Sequence, residues 1–285
     1  MSEKNFMITE AGIAEYVEHL KNEERAASTI EKYIRDIRAF KRFLNGEGVT
    51  KQSALEWRND LLETHAPATV NGAIAALNSF FEFFELGIKV KPLKIQRKTF
   101  LSEDKELTER EYRRLLSIAQ SKGNERLYHI LQAICSTGIR VSELRFITVE
   151  AIQIGYAEVR NKGKIRTIFI SHDLKILLLR YARKQGIASG SIFVTRNGKQ
   201  INRSNIWSGM KKLCAEAGVD ESKVFPHSLR KLFARMFYAK DRDLSKLADS
   251  LGHSDISTTR IYIMDTGSEH RRIINSLGLV VMPVG

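Results

Sequence analysis

The chain has 285 residues, 43% of them apolar, which predicts a globular protein of one large domain or two ordinary ones. Its 46 basic and 33 acidic residues give a net charge of +13, of which +12 falls on residues 101–285, and this excess favours a nucleic-acid partner over a merely solubilising surface. The sequence lacks a membrane-spanning apolar run, a signal-peptide core in residues 1–20, and HExxH, Walker A and GxGxxG motifs, so we expect a cytoplasmic protein without membrane association.

The first 88 residues are predicted to be helical, because apolar residues recur there at helical spacing. Ser28 and Glu31 form the pattern of a capping box, which predicts that a helix begins at Ser28. Pro67 is a suitable first helical residue. Four helices are expected, over residues 9–22, from Ser28 to near Gly46, over residues 53–63, and from Pro67 to near Gly87. Helices of this size predict a compact bundle.

Residues 89–106 are predicted to be a basic linker, because Pro92 is incompatible with a helix interior and the segment is polar and basic up to Lys98. A second domain is predicted over residues 107–285. It begins with a capping box of Thr108 and Glu111, and helices are expected from there to about residue 150.

Residues 152–170 change to a strand-like pattern, in which IQIGYAEVR and IRTIFI are joined by NKGK. This predicts a β-hairpin with a basic tip. From His172 the pattern is helical again, with SIFVT as a candidate short strand. The predicted fold class is therefore mainly α with a small β-sheet or hairpin, so that the second domain is α+β. Cys135 and Cys214 match no zinc spacing and are expected to be reduced, buried apolar side chains.

Four segments of the second domain concentrate reactive side chains: CSTGIRVSELR with Arg140, NKGKIR with Lys162 and Lys164, PHSLRKLF with His227 and Arg230, and LGHSDISTTRIYIMD with His253 and Tyr262. Taken singly, each has a simpler interpretation. Arg140 could be a surface arginine paired with Glu143, the hairpin tip an exposed basic turn, His227 and Arg230 a structural pair, and Tyr262 a core aromatic between two isoleucines.

Together these side chains are chemically complete for transesterification at phosphorus without a metal. A tyrosyl oxygen can attack a phosphodiester and become covalently attached to it. Arginines can neutralise the charge that develops on the phosphate, while a lysine and histidines can transfer protons.

The motifs resemble those of the tyrosine recombinase (phage integrase-like) family, in its two-domain Xer/integrase type. The resemblance lies in their order: TGIRVSEL, a hairpin lysine, HSLR, LGH, and a tyrosine nine residues after that histidine. In addition, STIEKYIRDIRAFKRFL resembles a helix of the family's core-binding domain. The resemblance implies six catalytic residues: Arg140, Lys162, His227, Arg230, His253 and the nucleophile Tyr262. Lys162 is preferred over Lys164 because the family's lysine usually precedes the glycine.

The resemblance also implies a helical core-binding (SAM-like) DNA-binding domain at residues 1–88 and a catalytic domain at 107–285. The implied reaction is site-specific cleavage and rejoining of DNA through a 3′-phosphotyrosyl intermediate, as in integration, excision, inversion or resolution, including reactions of mobile genetic elements. No cofactor, metal or ATP is implied. Glu143 is expected to orient the arginines.

The implied partners are double-stranded DNA recombination sites, further protomers that complete a tetramer on DNA, and accessory DNA-bending or directionality factors. The apolar C-terminal tail is expected to dock on a neighbouring protomer or on its own domain. The chain departs from many relatives at Lys231 and Met264, where they have histidine. Two other functions remain open: a non-catalytic DNA-binding protein of recombinase ancestry, and a type IB topoisomerase-like DNA-relaxing enzyme.

Overall fold

The computed structural model describes residues 6–95, 106–161, 164–195, 197–263, 272 and 274–277. The chain divides into two compact units, Met1–Arg97 and Lys98–Gly285, which we call the N-terminal and C-terminal units. No helix in the described residues is both long and apolar enough to cross a membrane.

The N-terminal unit contains the four predicted helices: α1 (Glu10–Asn22), α2 (Ala27–Leu44), α3 (Lys51–Thr64) and α4 (Pro67–Phe83). Each turns an apolar stripe toward a shared core, as helical spacing dictates. In α2 the buried stripe consists of Ile34, Ile37, Phe40 and Leu44. Pro67 is the first residue of α4, as predicted, because its missing N–H costs no hydrogen bond there.

The capping box predicted at the start of α2 is wrong. The N-cap is Ala26, which makes no side-chain capping bond, and Ser28 lies inside the first turn. Alanine is the strongest helix former, so the helix extends to Ala27 and moves Ser28 out of the capping position. The capping box predicted for Thr108 and Glu111 is present.

Residues 89–95, the first part of the predicted linker, pack against α4. The Asn78 side chain donates to the Val90 carbonyl at 2.8 Å and accepts from the Val90 N–H at 2.9 Å. Asn71 makes the same pair of bonds with Leu93, at 3.0 and 2.7 Å. Each asparagine thus satisfies both main-chain groups of an extended residue, as a neighbouring strand would. Residues 96–105 of the predicted linker lie outside the described part of the chain, and Glu106, its last residue, is bonded to Lys231 and Arg235 of α10.

The C-terminal unit is built mainly from helices around a large apolar core. Its α-helices are α5 (Glu109–Ser121), α6 (Glu125–Thr137), α7 (Val149–Ile154), α8 (His172–Lys184), α9 (Arg203–Ala217), α10 (Pro226–Lys240), α11 (Leu244–Leu251) and α12 (Ile256–Tyr262). Two 3-10 helices, Val141–Phe146 and Glu221–Lys223, precede α7 and α10.

The predicted hairpin is present as β1 (Tyr156–Asn161) and β2 (Lys164–Phe169), paired antiparallel. Its inner face carries Ala157, Val159 and Ile168, which are all buried. The fold class, mainly α with a two-stranded sheet, is thereby confirmed.

The predicted start of the first strand is wrong, since Ile152–Ile154 belong to α7. Thr148 caps that helix, and Gly155, with a φ of 91°, ends it. A left-handed residue at this position turns the chain directly from helix into strand. The candidate strand SIFVT is not a regular strand either; Ser191 and Val194 form only isolated bridges, with Thr148 and Gln200. Cys214 is buried as expected, whereas Cys135 is partly exposed.

Candidate active site

Five of the six predicted catalytic residues lie in described parts of the C-terminal unit. Arg140 is the N-cap of the first 3-10 helix, and His227 and Arg230 lie in the first turns of α10. His253 follows the end of α11, and Tyr262 is the last residue of α12. Lys162 lies outside the described residues, and the placement of the Lys164 side chain is likewise not described.

Arg230 is the centre of the site and is only 1% exposed. Its guanidinium donates hydrogen bonds to the main-chain carbonyls of Gly138 and Leu251. These carbonyls lie at the C-terminal ends of α6 and α11, where unpaired carbonyl groups carry partial negative charge. Among the described residues no carboxylate pairs with Arg230, so its full positive charge is retained inside the site.

The C-terminal ends of α6 and α11, whose carbonyls bind Arg230, are each capped by a glycine. Gly138 and Gly252 have φ angles of 65° and 63°, in the left-handed region that favours glycine. A Cβ atom on Gly138 would lie 2.5 Å from the Phe233 ring, and one on Gly252 would lie 2.3 Å from Arg166 Cδ. Both the backbone conformation and the close packing therefore require the glycines of TGIR and LGH.

His253 links Arg230 to α12. Its Nε2 lies 3.1 Å from Arg230 Nη2, and its Nδ1 lies 2.9 Å from Thr259 Oγ1. Because arginine can only donate, we assign Nε2 as the acceptor and place the ring proton on Nδ1. Burial lowers the pKa of His253 to about 4, and the positive charge of Arg230 and other nearby cations contributes to the same shift. The imidazole is therefore neutral near pH 7.

Tyr262 lies among these side chains. Its ring centroid is 4.9 Å from that of His253 and 5.0 Å from that of His227, and Arg230 Cζ lies 5.8 Å from its centre. Tyr262 is 7% exposed and also packs on a small apolar cluster with Leu247 and Leu251. Its ring thus has the burial of a core aromatic, but its neighbours on the other side are two imidazoles and a guanidinium.

His227 is exposed to solvent on one side and packs against Tyr262 on the other. Desolvation, followed by the positive charges of Arg230 and Lys231, lowers the pKa of its imidazole. A histidine at the edge of the site with a lowered pKa is neutral at neutral pH and available to accept a proton.

Arg140 is held from one side by Glu143, which is 3% exposed. Arg140 Nη1 donates to Glu143 Oε1 at 2.9 Å, and the Arg140 main-chain N–H donates to Oε2 at 3.0 Å. Burial alone would raise the pKa of the Glu143 carboxyl, but the charge of Arg166 and the bonds from Arg140 outweigh it, so that the pKa lies below its ordinary value. Glu143 is accordingly an anion.

Arg166 was missed as a site residue by the sequence reasoning. It donates through Nη2 to Glu143 Oε2 and through Nη1, at 3.0 Å, to the Ser250 carbonyl. A signal was available in the sequence. Arg166 lies two residues before the apolar Ile168 on β2, and side chains two residues apart on a strand lie on the same face, so Arg166 occupies an inward-facing position of the hairpin. An arginine at such a position must be paired or must act on a ligand.

A cavity of about 770 Å³ opens beside these residues, and Arg140, Glu143, Arg166, Gly252 and His253 form part of its lining. Arg140 and Arg166 line it together with the carboxylates of Glu143 and Asp249, and Arg230 contacts His253 at its wall, so three positive charges lie near it against two negative ones. An excess of positive charge favours an anionic ligand and stabilises negative charge that develops during a reaction. The described residues contain no cluster of side chains suited to hold a metal ion.

The fold and a buried tyrosine surrounded by histidines and arginines define a class of enzyme, the tyrosine recombinases. Residues 105–269 match the phage integrase family, and residues 13–85 match the N-terminal SAM-like domain of phage integrases. The chain belongs to the phage integrase family and is a site-specific recombinase.

The relatives include tyrosine recombinase XerC of Roseiflexus castenholzii, which is 31% identical over 273 residues that cover 87% of this chain and 86% of that protein. Tyrosine recombinase XerA of Pyrococcus horikoshii is 30% identical over 293 residues and covers 100% of both chains. A lambda integrase tetramer bound to a Holliday junction has the same fold, with a TM-score of 0.73 and 19% identity over 93% of this chain and 80% of that one. The predicted family and enzyme class are confirmed, and the two alternative functions find no support.

Proposed function

We propose that this recombinase cuts and rejoins double-stranded DNA at specific sites, with Tyr262 as the nucleophile. The Tyr262 oxygen attacks the scissile phosphorus, a phosphotyrosyl bond forms at the 3′ end, and the bond to the 5′ oxygen breaks. The phosphoryl group stays bound in an ester, so that the reverse attack by a 5′-hydroxyl rejoins the strand without ATP or a metal. The observation that carries this proposal is the position of Tyr262 against His227, His253 and Arg230.

The two arginines are assigned to the non-bridging oxygens of the phosphate. Arg230 is suited to this role because carbonyl dipoles hold it without neutralising it. Arg140 is suited because its guanidinium lies beside the cavity and is partly exposed. Both charges are in place before the reaction, so no reorganisation is needed as negative charge grows on the phosphate.

The proton transfers are assigned to the histidines and a hairpin lysine. His227, neutral and in contact with the Tyr262 ring, assists removal of the tyrosyl proton. His253 is assigned to hydrogen-bond the phosphate through Nε2, which then carries the ring proton and no longer accepts from Arg230 Nη2. Lys162 is assigned to protonate the 5′ leaving oxygen, and Lys164 is the alternative on the same hairpin.

We extend the proposal to the partners and the cellular location, and membership of the family supports both. We propose that protomers assemble as a tetramer on two recombination sites, by analogy with the lambda integrase tetramer bound to a Holliday junction. The net charge of +12 on residues 101–285 supports contact with the DNA backbone. The reaction is placed in the cytoplasm, with accessory DNA-bending or directionality factors as further partners.

The test is covalent capture on nicked duplex DNA from the genomic region around the gene. A nick beside the cleaved phosphate makes the fragment with the free 5′-hydroxyl short, so that it diffuses away after cleavage and the covalent complex accumulates. We expect wild-type protein to give a protein–DNA band on a denaturing gel and Tyr262→Phe to give none while still binding DNA. Tyr238→Phe is the matched control, because Tyr238 packs on the same apolar cluster. A band of equal strength with Tyr262→Phe would exclude Tyr262 as the nucleophile.

A further inference from the structure

Arg166 is a charged residue in an inward-facing position of the hairpin. On β2 it pairs with Val159 and shares a face with Ile168, two residues that are 1% and 2% exposed. Its own side chain is 11% exposed. Burying a guanidinium is costly unless it is well bonded, so the contacts of Arg166 indicate what it does.

The guanidinium of Arg166 joins two separate segments of the site. Nη2 donates to Glu143 Oε2, which also accepts from the Arg140 main-chain N–H. Nη1 donates to the carbonyl of Ser250, three residues before His253. Arg166 therefore connects the segment that carries Arg140 with the segment that carries His253, although neither contact is with a predicted catalytic side chain.

The stem of Arg166 also fits against Gly252. A Cβ atom on Gly252 would lie 2.3 Å from Arg166 Cδ and 3.1 Å from its Nε, so the glycine leaves the space that the stem occupies. Gly252 ends α11 in the left-handed conformation and leads directly to His253. The position of His253 and that of Arg166 are thus sterically coupled.

The charges around Glu143 give Arg166 a second effect. One carboxylate is shared by two guanidiniums, so one unit of positive charge remains uncompensated in the group. Without Arg166, Glu143 would pair with Arg140 alone, and the charge that Arg140 can offer to a phosphate would be largely neutralised. Arg166 therefore both holds Glu143 in place and keeps Arg140 available.

We propose that Arg166 is a positioning residue for the recombination reaction. It shares Glu143 with Arg140, so that the charge of Arg140 stays available to a phosphate, and it holds the turn that places His253. The inference rests on the proposed function, in which Arg140 and His253 act on the scissile phosphate.

The experiment compares Arg166→Gln with Arg160→Gln in single-turnover cleavage of the DNA on which wild type forms its covalent complex. Arg160 is the matched control, because it lies on the same hairpin with a side chain that is 72% exposed. We expect Arg166→Gln to cleave about 100-fold more slowly than wild type, as for a displaced catalytic group. Arg160→Gln should cleave within about threefold of wild type, because its removal leaves the site's bonds intact. Both variants lose one positive charge, so their DNA affinities should agree.

A second substrate distinguishes positioning from general structural damage. A methylphosphonate at the cleaved position replaces one non-bridging oxygen with a methyl group, which removes the negative charge that the phosphodiester carries before attack. We expect the defect of Arg166→Gln to shrink there to less than about 10-fold, because less negative charge then has to be stabilised. Equal defects on both substrates, or a rate for Arg166→Gln within threefold of wild type on phosphodiester DNA, would overturn the inference.

A conservative variant covers the case in which Arg166→Gln does not fold, which a thermal melt would show. Arg166→Lys keeps a positive charge beside Glu143, but a single ammonium group cannot contact both Glu143 and the Ser250 carbonyl as the guanidinium does. We expect this variant to cleave about 10-fold more slowly than wild type. If Arg166→Lys cleaves as fast as wild type, the proposal that Arg166 acts through both Glu143 and Ser250 is wrong. If wild type and Arg160→Gln form no covalent complex at all, the proposed function fails and this inference fails with it. Cleavage by wild type with no effect at position 166 overturns the inference alone.

Discussion

Arg230 shows how a single buried residue can be prepared for an anion. A buried cation is usually stabilised by a carboxylate, but here main-chain carbonyls at two helix ends do so. Burial still has a cost, and it lowers the pKa of Arg230 to about 10, with the charges of Arg140 and Arg166 adding to the effect. The guanidinium remains protonated at neutral pH, and no salt bridge has to break before it meets a phosphate.

We expect Arg230→Lys to separate chemistry from binding. Lysine keeps the charge but cannot contact both carbonyls and a phosphate, so single-turnover cleavage should fall by about 100-fold or more, as on loss of an electrostatic contact to a transition state. DNA affinity, measured by gel shift, should stay within about threefold, since the total charge is unchanged. Parallel losses in cleavage and affinity would instead indicate a docking contact.

His253 makes stability depend on pH. Its pKa is lowered from 6.5 to about 4 in the folded protein, so between these values the unfolded chain binds the proton more readily. The stabilisation is therefore fully present above about pH 6.5 and is lost as the pH falls through about 4. We expect the melting temperature to drop less between pH 7 and pH 4.5 in His253→Gln than in wild type, with the exposed His65→Gln as control. Identical drops in the two variants would contradict the assignment.

At the scale of elements, the C-terminal ends of α6 and α11 determine the position of Arg230, because its hydrogen-bond acceptors lie there. Gly138 combines a φ of 65° with close contact to Phe233 and Leu251, whereas Gly155 has a φ of 91° and no heavy atom near its absent Cβ. Substitution of each glycine by alanine therefore distinguishes two costs: at Gly155 only backbone strain is expected, whereas at Gly138 strain and steric overlap occur together.

We expect Gly138→Ala to lower the free energy of unfolding by about 2–4 kcal/mol, because strain and overpacking add. Gly155→Ala should lower it by only about 1–2 kcal/mol, through strain alone. Chemical denaturation of both variants measures the difference. Equal losses would mean that the Phe233 ring moves aside freely and that packing at the end of α6 is not tight.

The elements themselves were largely predictable from sequence periodicity. Apolar spacing located α1 to α4 and the hairpin, and Thr108 with Glu111 located the start of α5. The errors fell at boundaries. Ser28 had the right neighbours for an N-cap, but Ala27 continued the helix, and Ile152–Ile154 looked strand-like because a short apolar run does not distinguish a helix from a strand.

At the scale of the whole molecule, the site is assembled from four segments spread over residues 138–262. Motif order along the chain predicted Arg140, His227, Arg230, His253 and Tyr262 as site residues, and the fold brings Tyr262 against both histidines and Arg230. Motif order could not reveal Arg166, because its partners are a carboxylate 23 residues away and a carbonyl 84 residues away. Contacts of that kind depend on tertiary packing, and the alternation along β2 indicates only that Arg166 faces inward.

The uneven charge of the chain predicts a strong dependence of DNA binding on salt. Each phosphate contact releases counterions, and the net charge of +12 on residues 101–285 favours many such contacts. We expect affinity for duplex DNA to fall by about 1,000-fold or more between 50 and 200 mM salt, as for 6–10 phosphate contacts. Fluorescence anisotropy titrations at several salt concentrations measure the slope, and a flat response would exclude a binding mode based on the phosphate backbone.

The main-chain carbonyls of Gly138 and Leu251, which accept hydrogen bonds from Arg230, form a carbonyl cradle. This cradle affects which amino-acid substitutions the protein can tolerate. Main-chain oxygens cannot be removed by replacing a side chain, so the cradle persists through any substitution that leaves the ends of α6 and α11 in place. Outward-facing residues of these helices are therefore free to vary, in evolution or in engineering for a new DNA target, without disturbing the arginine. The vulnerable positions are few, and Gly138 and Gly252 are foremost among them.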